Sequence, residues 1–448
     1  MDLLHLLRKR QVSAAELREA AQARIDAANG ALNAVVRPLG VDGDPDGPFA
    51  GIPTVLKDNE DLEGYPTLHG SWATADRPAA ATSPWVAQYL ALGFTPLVKT
   101  TLPEFGLTAT TESTRFGATR NPWNTAHSTG GSSGGSAALV ASGAVPIGHA
   151  NDGGGSIRIP AALNGLVGLK PSRGRLIDLP ELDRLPVNLV TQGVLTRSVR
   201  DTAYYFAEAE RVYRNPELAP IGMVVRPERR RLRVGLVTDS LAGSPLDPHT
   251  RDAVIATGQA LQELGHDVSV VDLGIDQQFG RDFLRYWALL SFMLQKAGGR
   301  FLGEGFDGSK TEQLTKGLSA MCVQQAARVP WSVRRLARVS REPERIYEQV
   351  DVVVSPVVSH PAPPIGYLGP DVPVRDQLVR LLRFSSFTPL QNVSGAPAIS
   401  LPLARSPQGL PIGVQVAGPM GEERRLLSVA LELEEAMPWP RTPAATMA

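Results

Sequence analysis

Two clusters of glycine and serine, set in one apolar stretch, constrain the fold of this chain more than any other feature. The first cluster runs from Gly130 to Ser136 and the second from Gly153 to Ser156, with an apolar run, 145–148, between them. Glycine is expected where a backbone adopts a positive φ or lets a ligand approach closely. Successive N–H groups in such turns form a concavity that binds anions. The stretch therefore predicts two turns close together in space, joined by a helix and a strand.

Three other interpretations of these clusters fit less well. A Ser-Gly loop is commonly a linker or a helix cap, but a solvated linker is not embedded in apolar sequence. A P-loop needs Lys and then Ser or Thr after its last glycine, whereas Gly135 is followed by Ser136 and Ala137. A dinucleotide fingerprint with its strand, helix and later acid does not occur. Ser156 instead opens a predicted helix, SIRIPAAL, and joins a hydroxyl to backbone donors, as an acyl-transfer site requires.

Over most of its length the sequence resembles the amidase signature family, whose members use a Ser-cisSer-Lys triad. The resemblance implies an α/β fold, a large mixed twisted β-sheet covered by helices on both faces, and amidase activity. So many matches in one order are far more specific than a lone glycine motif. Besides the glycine clusters, the matching segments are GIPTVLKDN (51–59), LVKTTLPEFG (97–106), RNPWN (120–124), GVLTRSVRD (193–201), SGAPAISLPL (394–403) and GLPIGVQVAGP (409–419).

The resemblance assigns a role to each residue of the triad. Ser156 is the nucleophile that forms an acyl-enzyme, Ser132 relays the proton and Lys57 is the base. The family also implies a cis peptide between Gly131 and Ser132. A lysine accepts a proton only when neutral, so its pKa must lie well below about 10.4, which burial can achieve. The position of Lys57 at the end of an apolar strand fits that need, although an exposed lysine paired with Asp58 is the other interpretation.

The resemblance also implies which groups surround the triad. Backbone N–H groups of Gly153, Gly154, Gly155 and Ser156 are expected to form the oxyanion hole. Most relatives have threonine where this chain has Gly153. Supporting roles are expected for Ser133, which caps the next helix or supports the lysine, and for Asp152 and Arg158, which brace the loops.

Other functions remain open at this point. A Ser-His-Asp mechanism would use His127 or His149, but neither matches a family catalytic position, and both are expected to be loop or pocket-wall residues. A glutamine amidotransferase subunit that supplies ammonia to a partner, or a non-catalytic binding relative, is the alternative in another class. The resemblance suggests an aryl, aliphatic or ω-amino-acid amide as substrate. The pocket is expected to involve loops 103–113 and 355–369, with Phe105, Phe116 and Pro361.

Composition excludes several classes of partner. Lys+Arg 45 against Asp+Glu 45 gives no net charge, so a nucleic-acid partner is not expected. A single cysteine, Cys322, excludes an internal disulfide and fits a reducing compartment. No apolar run approaches the roughly 18 residues of a membrane span, and the N-terminus does not have the pattern of a signal peptide. We therefore expect a soluble cytoplasmic enzyme with no cofactor and no metal, acting on a small-molecule amide, and the family suggests a homodimer.

The chain is expected to form a single amidase domain over 1–448, with a catalytic core at 51–205 and a variable, substrate-shaping region at 230–390. A capping box of Ser13 and Glu16 predicts the start of the second helix. Helices are predicted within 3–12 and over 13–28, 85–93, 133–142 and 248–265, with a largely helical region at 282–346. Strands are predicted over 52–56, 95–98, 145–148, 229–239, 266–273, 351–355, 398–401 and 412–416.

Overall fold

An eight-stranded mixed sheet is the centre of the computed structural model, which describes residues 2–178, 182–228, 230–239, 245–341 and 345–443. A separate three-stranded sheet and two short antiparallel pairs complete the β-structure of these residues. The strands are β1 (Val35–Pro38), β2 (Pro53–Lys57), β3 (Thr95–Thr100), β4 (Glu112–Ser113), β5 (Gly117–Ala118), β6 (Arg120–Asn121), β7 (Asn124–Ser128), β8 (Ile147–Asp152), β9 (Val167–Lys170), β10 (Thr191–Thr196), β11 (Arg233–Leu236), β12 (Asp267–Val270), β13 (Val352–Pro356), β14 (Ala398–Arg405) and β15 (Pro411–Ala417).

The large sheet has the strand order β12-β11-β13-β15-β14-β9-β10-β8. Strand β11 runs parallel to both β12 and β13, and the other neighbouring strands are antiparallel. In the small sheet β3 lies between β1 and β2, antiparallel to β1 and parallel to β2. The predicted α/β fold with a large mixed sheet is confirmed.

Helices account for much of the remaining chain. The predicted capping box is present: the Ser13 hydroxyl accepts from the Glu16 N–H, and the Glu16 carboxylate accepts from the Ser13 N–H. None of the helices in the described ranges combines the length and apolar character that a membrane span requires. The α-helices are α1 (Asp2–Arg8), α2 (Ala14–Leu32), α3 (Pro84–Ala91), α4 (Gly134–Ala141), α5 (Arg158–Asn164), α6 (Val199–Val212), α7 (Pro248–Glu263), α8 (Gln277–Ala297), α9 (Gln313–Gln324), α10 (Val329–Arg341), α11 (Ile346–Gln349), α12 (Val374–Phe384), α13 (Pro389–Ser394) and α14 (Glu423–Ala436).

Several element boundaries differ from the predicted ones. The strand predicted over 145–148 runs from Ile147 to Asp152, because His149 and Asn151 are buried with partners and hydropathy does not reveal them. The helix expected to open at Ser156 begins at Arg158. The strand predicted over 229–239 occupies Arg233–Leu236. Arg229, and residues 342–344 of the predicted helical region, lie outside the described residues.

The two sheets meet along β2 and β8 through side chains. The Thr54 hydroxyl donates to the Ile147 carbonyl at 3.0 Å. The backbone N–H of Lys57 donates to Nδ1 of His149 at 3.2 Å. Because these side chains satisfy the edge of β2, the strand packs on β8 while it belongs to a different sheet. The end of β2 is thereby fixed against the end of β8.

An aromatic cluster closes this junction from one side. Rings of Trp85 and Tyr89 stack at 4.7 Å, Tyr89 and Phe94 at 4.4 Å, and Phe94 and Phe49 at 4.4 Å. The Trp85 ring also stacks on His149 at 4.1 Å. Such pairs contribute about 0.5–1.5 kcal/mol each beyond their buried area. The cluster therefore excludes water from the region behind the end of β2.

Close packing of α5 on the sheet gives a stability prediction. A Cβ on Gly413 of β15 would lie 2.6 Å from the Ala162 Cα and nearer still to its Cβ. We expect Gly413→Ala to lower the free energy of unfolding by about 1–3 kcal/mol, because the packed core cannot absorb the methyl group without moving α5. Gly30→Ala is the control, since a Cβ added at this position of α2 would have no neighbouring atom within 4 Å, and it should raise stability by about 0.5–1 kcal/mol. Urea unfolding measures both, and equal stability of Gly413→Ala and the wild type would contradict the packing argument.

Candidate active site

The amine of Lys57 lies in a fully buried polar site at the end of β2. Its Nζ is 2.8 Å from the Ser132 Oγ and 2.7 Å from the Asn151 Oδ1. Burial lowers the pKa of Lys57 from 10.5 to about 7, although the carboxylates of Asp152 and Glu60 act in the opposite direction. An appreciable fraction of the amine is therefore neutral near pH 7, with a hydroxyl within hydrogen-bonding distance.

Asp58 is the partner of a different lysine. Its carboxylate lies 3.3 Å from Nζ of Lys99, and both side chains are fully buried. The interpretation of Lys57 as an exposed lysine paired with Asp58 is therefore wrong. Asp58 is therefore paired with Lys99, and the Lys57 amine is hydrogen-bonded to Ser132.

The first glycine–serine turn presents Ser132 to the lysine. The peptide between Gly131 and Ser132 is cis. Ser133 occupies the N-cap position of α4, but its side chain makes no capping hydrogen bond. Its hydroxyl instead lies 3.3 Å from the Asn151 carbonyl. The prediction that the Ser133 side chain caps α4 is therefore wrong. Its hydroxyl instead links the turn to β8 beside Lys57.

The second glycine turn is held by a buried ion pair between Asp152 and Arg158. Nε and Nη2 of Arg158 each lie 3.0 Å from an oxygen of Asp152. The same carboxylate accepts the N–H groups of Gly155 at 2.7 Å and Ile157 at 3.1 Å. Burial acts to raise the pKa of Asp152, but the guanidinium and the Asn392 amide hold it well below its ordinary value. The structure thus brings Asp152 and Arg158 together beneath the turn, where bracing was expected.

The predicted oxyanion donors are not equivalent. The N–H of Gly155 is engaged by Asp152. Gly155 also has a φ of +129°, a region that favours glycine, and a Cβ there would lie 2.5 Å from the Thr388 hydroxyl. The members of the predicted set that this carboxylate does not hold are Gly153, Gly154 and Ser156.

A cavity of about 320 Å³ opens over the two turns. Gly131 of the first turn and Gly154 and Ser156 of the second line the same cavity, and Ser156 is half-buried. Ser132 follows Gly131 directly, so the turn that carries the relay candidate borders the cavity lined by the nucleophile candidate. A substrate carbonyl in this cavity would lie beside both turns.

The apolar wall of the cavity comes from residues that sequence reasoning did not single out. Phe283 and Trp287 of α8 stack at 5.7 Å and line it. The indole N–H of Trp287 donates to the Leu107 carbonyl at 3.1 Å. Loop 103–113 contributes as expected, but loop 355–369 supplies none of the lining residues in the described chain. The amphipathic pattern of a 21-residue helix predicts a buried face but does not reveal what that face covers.

Phe105, Phe116 and Pro361, which were expected near the pocket, also lie outside its lining. Phe105 packs against Phe306, with the ring centroids 6.2 Å apart. The Phe116 ring lies under the Arg115 guanidinium. The sequence correctly indicated an apolar pocket and the contribution of loop 103–113, but the aromatic side chains in the lining are Phe279, Phe283 and Trp287.

The two histidines near the glycine clusters are not alike. His127 is half-buried on β7 and pairs through its backbone with Pro364. His149 is fully buried on β8, where burial lowers its pKa to about 3. His149 is therefore neither a loop nor a pocket-wall residue, and its ring is bonded to the Lys57 backbone and the Gln192 side chain.

Most of the chain matches a known family. The family model described as Amidase covers residues 5–427. The chain belongs to the amidase family. A protein named as an amidase, AmiC, from Mycobacterium leprae is 45% identical over 98% of this chain and 95% of its own length. The 6-aminohexanoate-cyclic-dimer hydrolase of Pseudomonas sp. is 35% identical over 97% of this chain and 94% of its own.

The solved structures agree with this membership. A structure of 6-aminohexanoate cyclic dimer hydrolase complexed with substrate superposes with a TM-score of 0.87 at 33% identity, covering 99% of this chain and 98% of the other. The amidase signature fold expected from the sequence is therefore confirmed. The chain is an amidase, an enzyme that hydrolyses amide bonds.

Gly153 of the second turn packs close to Val190 and Trp287. A Cβ at this position would lie 3.3 Å from Cγ2 of Val190 and 3.6 Å from Cη2 of Trp287. We expect Gly153→Thr to displace the indole, narrow the cavity and lower kcat/KM for a hexanoyl anilide about tenfold or more relative to an acetyl anilide, mainly through KM.

The Trp287→Leu background supplies the control for this prediction. Without the indole the threonine has room, so Gly153→Thr should then change the ratio of the two kcat/KM values much less. The same loss of selectivity in both backgrounds would show that Trp287 does not occupy the space in question.

Proposed function

We propose that this amidase hydrolyses its substrate through an acyl-enzyme on Ser156, with Ser132 as proton relay and Lys57 as base. The observation that carries the proposal is the 2.8 Å separation between the fully buried Lys57 Nζ and the Ser132 Oγ. Burial that brings the lysine pKa to about 7 supports a role as proton acceptor.

The proposed chemistry balances without any further reactant except water. The Ser156 Oγ attacks the amide carbonyl carbon, and its proton passes through Ser132 to the neutral Lys57 amine. The C–N bond then breaks as that proton returns through Ser132 to the leaving nitrogen. Water next attacks the ester on Ser156, and the same relay removes its proton and restores the serine, releasing the acid.

The oxyanion would be bound by backbone donors of the second glycine turn. Gly153, Gly154 and Ser156 supply N–H groups that Asp152 does not hold, and Gly155 contributes indirectly, since its bond to Asp152 fixes the shape of the turn. Prepositioned donors of this kind commonly lower the barrier by a few kcal/mol each. The Asp152–Arg158 pair supports this function by holding the turn rigid.

The substrate that the cavity fits best is an amide with an apolar acyl group. Phe283, Trp287 and Leu107 form an apolar wall beside Ser156. The similarity to a 6-aminohexanoate-cyclic-dimer hydrolase supports ω-amino-acid amides within the aliphatic, aryl and ω-amino-acid set. The position of α8 supports the proposed division of the single domain, in which 51–205 carries the catalytic groups and 230–390 shapes the pocket.

The remaining expectations about partners and location stay proposals. The balanced charge supports action without a nucleic acid, and Cys322 as the sole cysteine of the sequence supports a reducing, cytoplasmic location. We propose that the enzyme acts as a homodimer, without a partner subunit of another kind.

Replacing the nucleophile tests the first step. Ser156→Ala should lower kcat by on the order of 10⁵–10⁶-fold, because no oxygen remains to form the acyl-enzyme. A fluorophosphonate followed by mass spectrometry should label Ser156 in the wild type. A label on another serine, together with an active Ser156→Ala enzyme, would overturn the assignment.

Replacing the base tests the second step. Lys57→Ala should lower kcat by about 10²–10⁴-fold, and Lys57→Arg should not restore it, because a guanidinium stays charged. In the wild type kcat/KM should rise with pH through about 7, since the lysine acts only when neutral and burial sets its pKa there. The measurement is kcat/KM against pH for the three enzymes.

His127→Ala is the matched control for the base. This histidine lies on β7 and does not line the cavity, so its loss should leave kcat unchanged. Near-normal turnover in Lys57→Ala would show that the lysine is not the base, and inactivity of His127→Ala would support a histidine mechanism instead.

A further inference from the structure

A ring of buried hydrogen bonds lies behind Lys57, and Glu60 is its only carboxylate among the described residues. Glu60 follows the end of β2 by three residues and is 2% exposed. Its Oε1 accepts the Gln192 amide at 2.7 Å and lies 3.5 Å from Nδ2 of Asn151. Its Oε2 accepts the Ser83 hydroxyl at 2.8 Å. Every side-chain partner of this carboxylate is therefore a donor.

The direction of the hydrogen bonds on one side of the ring follows from His149. Its Nδ1 accepts the backbone N–H of Lys57, so the proton of the neutral ring is on Nε2. Nε2 then donates to the Oε1 of Gln192 at 3.0 Å. That contact turns the nitrogen of the Gln192 amide toward Glu60, which agrees with the 2.7 Å bond between them.

The other side of the ring leads to the Lys57 amine. A carboxylate has no hydrogen to donate, so Glu60 favours the orientation of Asn151 that points Nδ2 toward it. The Oδ1 of Asn151 then faces Nζ of Lys57 at 2.7 Å. A neutral amine has two N–H bonds and one lone pair. Because one N–H is donated to Asn151, the lone pair can accept a hydrogen bond from the Ser132 hydroxyl, whose oxygen lies 2.8 Å from Nζ.

We propose that Glu60 is a positioning residue, whose carboxylate fixes the orientations of Asn151 and Gln192 and thereby turns the lone pair of Lys57 toward Ser132. The inference rests on the proposed function of Lys57 as base. Glu60 is hydrogen-bonded to neither serine of the triad, so it orients the Lys57 amine through the amides of Asn151 and Gln192.

The reach of Glu60 and its charge have separate consequences. The length of the Glu60 side chain places its carboxylate where it orients the Asn151 and Gln192 amides. Charge favours the protonated form of Lys57, which raises the lysine pKa against the effect of burial. Burial also raises the pKa of Glu60 itself. The other ionisable groups that face this pair are Asp61, His69, Lys99, His149 and Asp152, and they are the same in every variant below.

Two substitutions at position 60 separate these effects. Glu60→Asp keeps the charge but withdraws the carboxylate by about one carbon–carbon bond. It should lower kcat by about 10–100-fold with KM nearly unchanged, since misplacement of about 1 Å costs that much in a positioned site. Glu60→Gln keeps the reach, because its oxygen can face both amides while its nitrogen donates to Ser83. At pH values above the acid limb of the profile, kcat of Glu60→Gln should stay within about threefold of the wild-type value.

The pH profile gives the second measurement. In Glu60→Gln the anion that stabilises the charged lysine is gone, so the lysine pKa falls and the acid limb of kcat/KM moves to lower pH. Glu60→Asp retains the anion and should not show that move. Glu432→Gln is the control: this buried glutamate of α14 bonds to His266 and lies outside the ring, and its profile should match the wild type.

The outcomes distinguish this inference from the proposed function. Suppose that Lys57→Ala is inactive, as proposed. Full kcat in Glu60→Asp, or an acid limb of Glu60→Gln at the wild-type pH, would then overturn the role of Glu60 but leave Lys57 as the base. Equal losses of kcat in Glu60→Asp and Glu60→Gln would also overturn it, since they would indicate general disruption. An active Lys57→Ala enzyme would overturn the proposed function itself. Thermal unfolding of each variant shows that the comparison is made on folded protein.

Discussion

The burial of the Lys57 amine at the junction of two sheets is the constraint on which the rest of the site depends. A charged ammonium is costly in that position, so burial lowers the lysine pKa into the range where it can accept a proton at neutral pH. The position exists only because β2 ends against β8 without joining its sheet, with His149 accepting the Lys57 N–H. The lowered pKa of Lys57 is therefore a consequence of how the two sheets pack.

Comparison of three buried lysines shows how partners refine that effect. Lys99 has the Asp58 carboxylate at 3.3 Å, which favours its charged form. Lys170 bonds to the Pro171 carbonyl, and burial lowers its pKa to about 7. Lys57 has an amide oxygen and a hydroxyl instead of a directly bonded carboxylate. Lys99 also contacts a hydroxyl, that of Thr67 at 2.7 Å. The hydroxyl beside Lys57 differs because it belongs to the glycine–serine turn next to the cavity.

The parts of the site that lie in short, dense motifs could be predicted from the sequence. Such motifs contain Lys57, Ser132, Ser156 and the Asp152–Arg158 pair. The structure brings Lys57 into contact with Ser132 and pairs Asp152 with Arg158. The roles of these residues stay predictions until variants are measured. The large mixed sheet followed from the family resemblance, and buried strands such as β2 and β13 could be placed because they are short and largely apolar.

What could not be predicted depends on contacts between distant segments. Glu60 and Gln192 are 132 positions apart, and nothing near Gln192 indicates that its amide faces a carboxylate. The separate three-stranded sheet was missed because pairing between strands is decided by edges. Here β2 and β8 meet through the Thr54 hydroxyl on the Ile147 carbonyl and the Lys57 N–H on the His149 ring, instead of through a backbone ladder. Ser133 was expected to cap α4 or to support the lysine. The second amide of α4, that of Gly135, is bonded to the Thr101 carbonyl instead, and the Ser133 hydroxyl bonds the Asn151 carbonyl.

Proton transfer and substrate selection involve different parts of the site because they require different precision in atomic positions. Proton transfer needs atoms fixed to a fraction of an ångström, and the groups proposed for it lie on strands and turns held by buried ion pairs and aromatic stacking. Substrate selection tolerates more variation, and much of the apolar wall is one face of α8, which packs against Leu107 through Trp287. Gly153 lies where these two parts meet, since a larger residue in the catalytic turn would press on the helix. A change in the helix face can therefore alter which acyl group fits while the turn keeps its shape, provided that position 153 stays small.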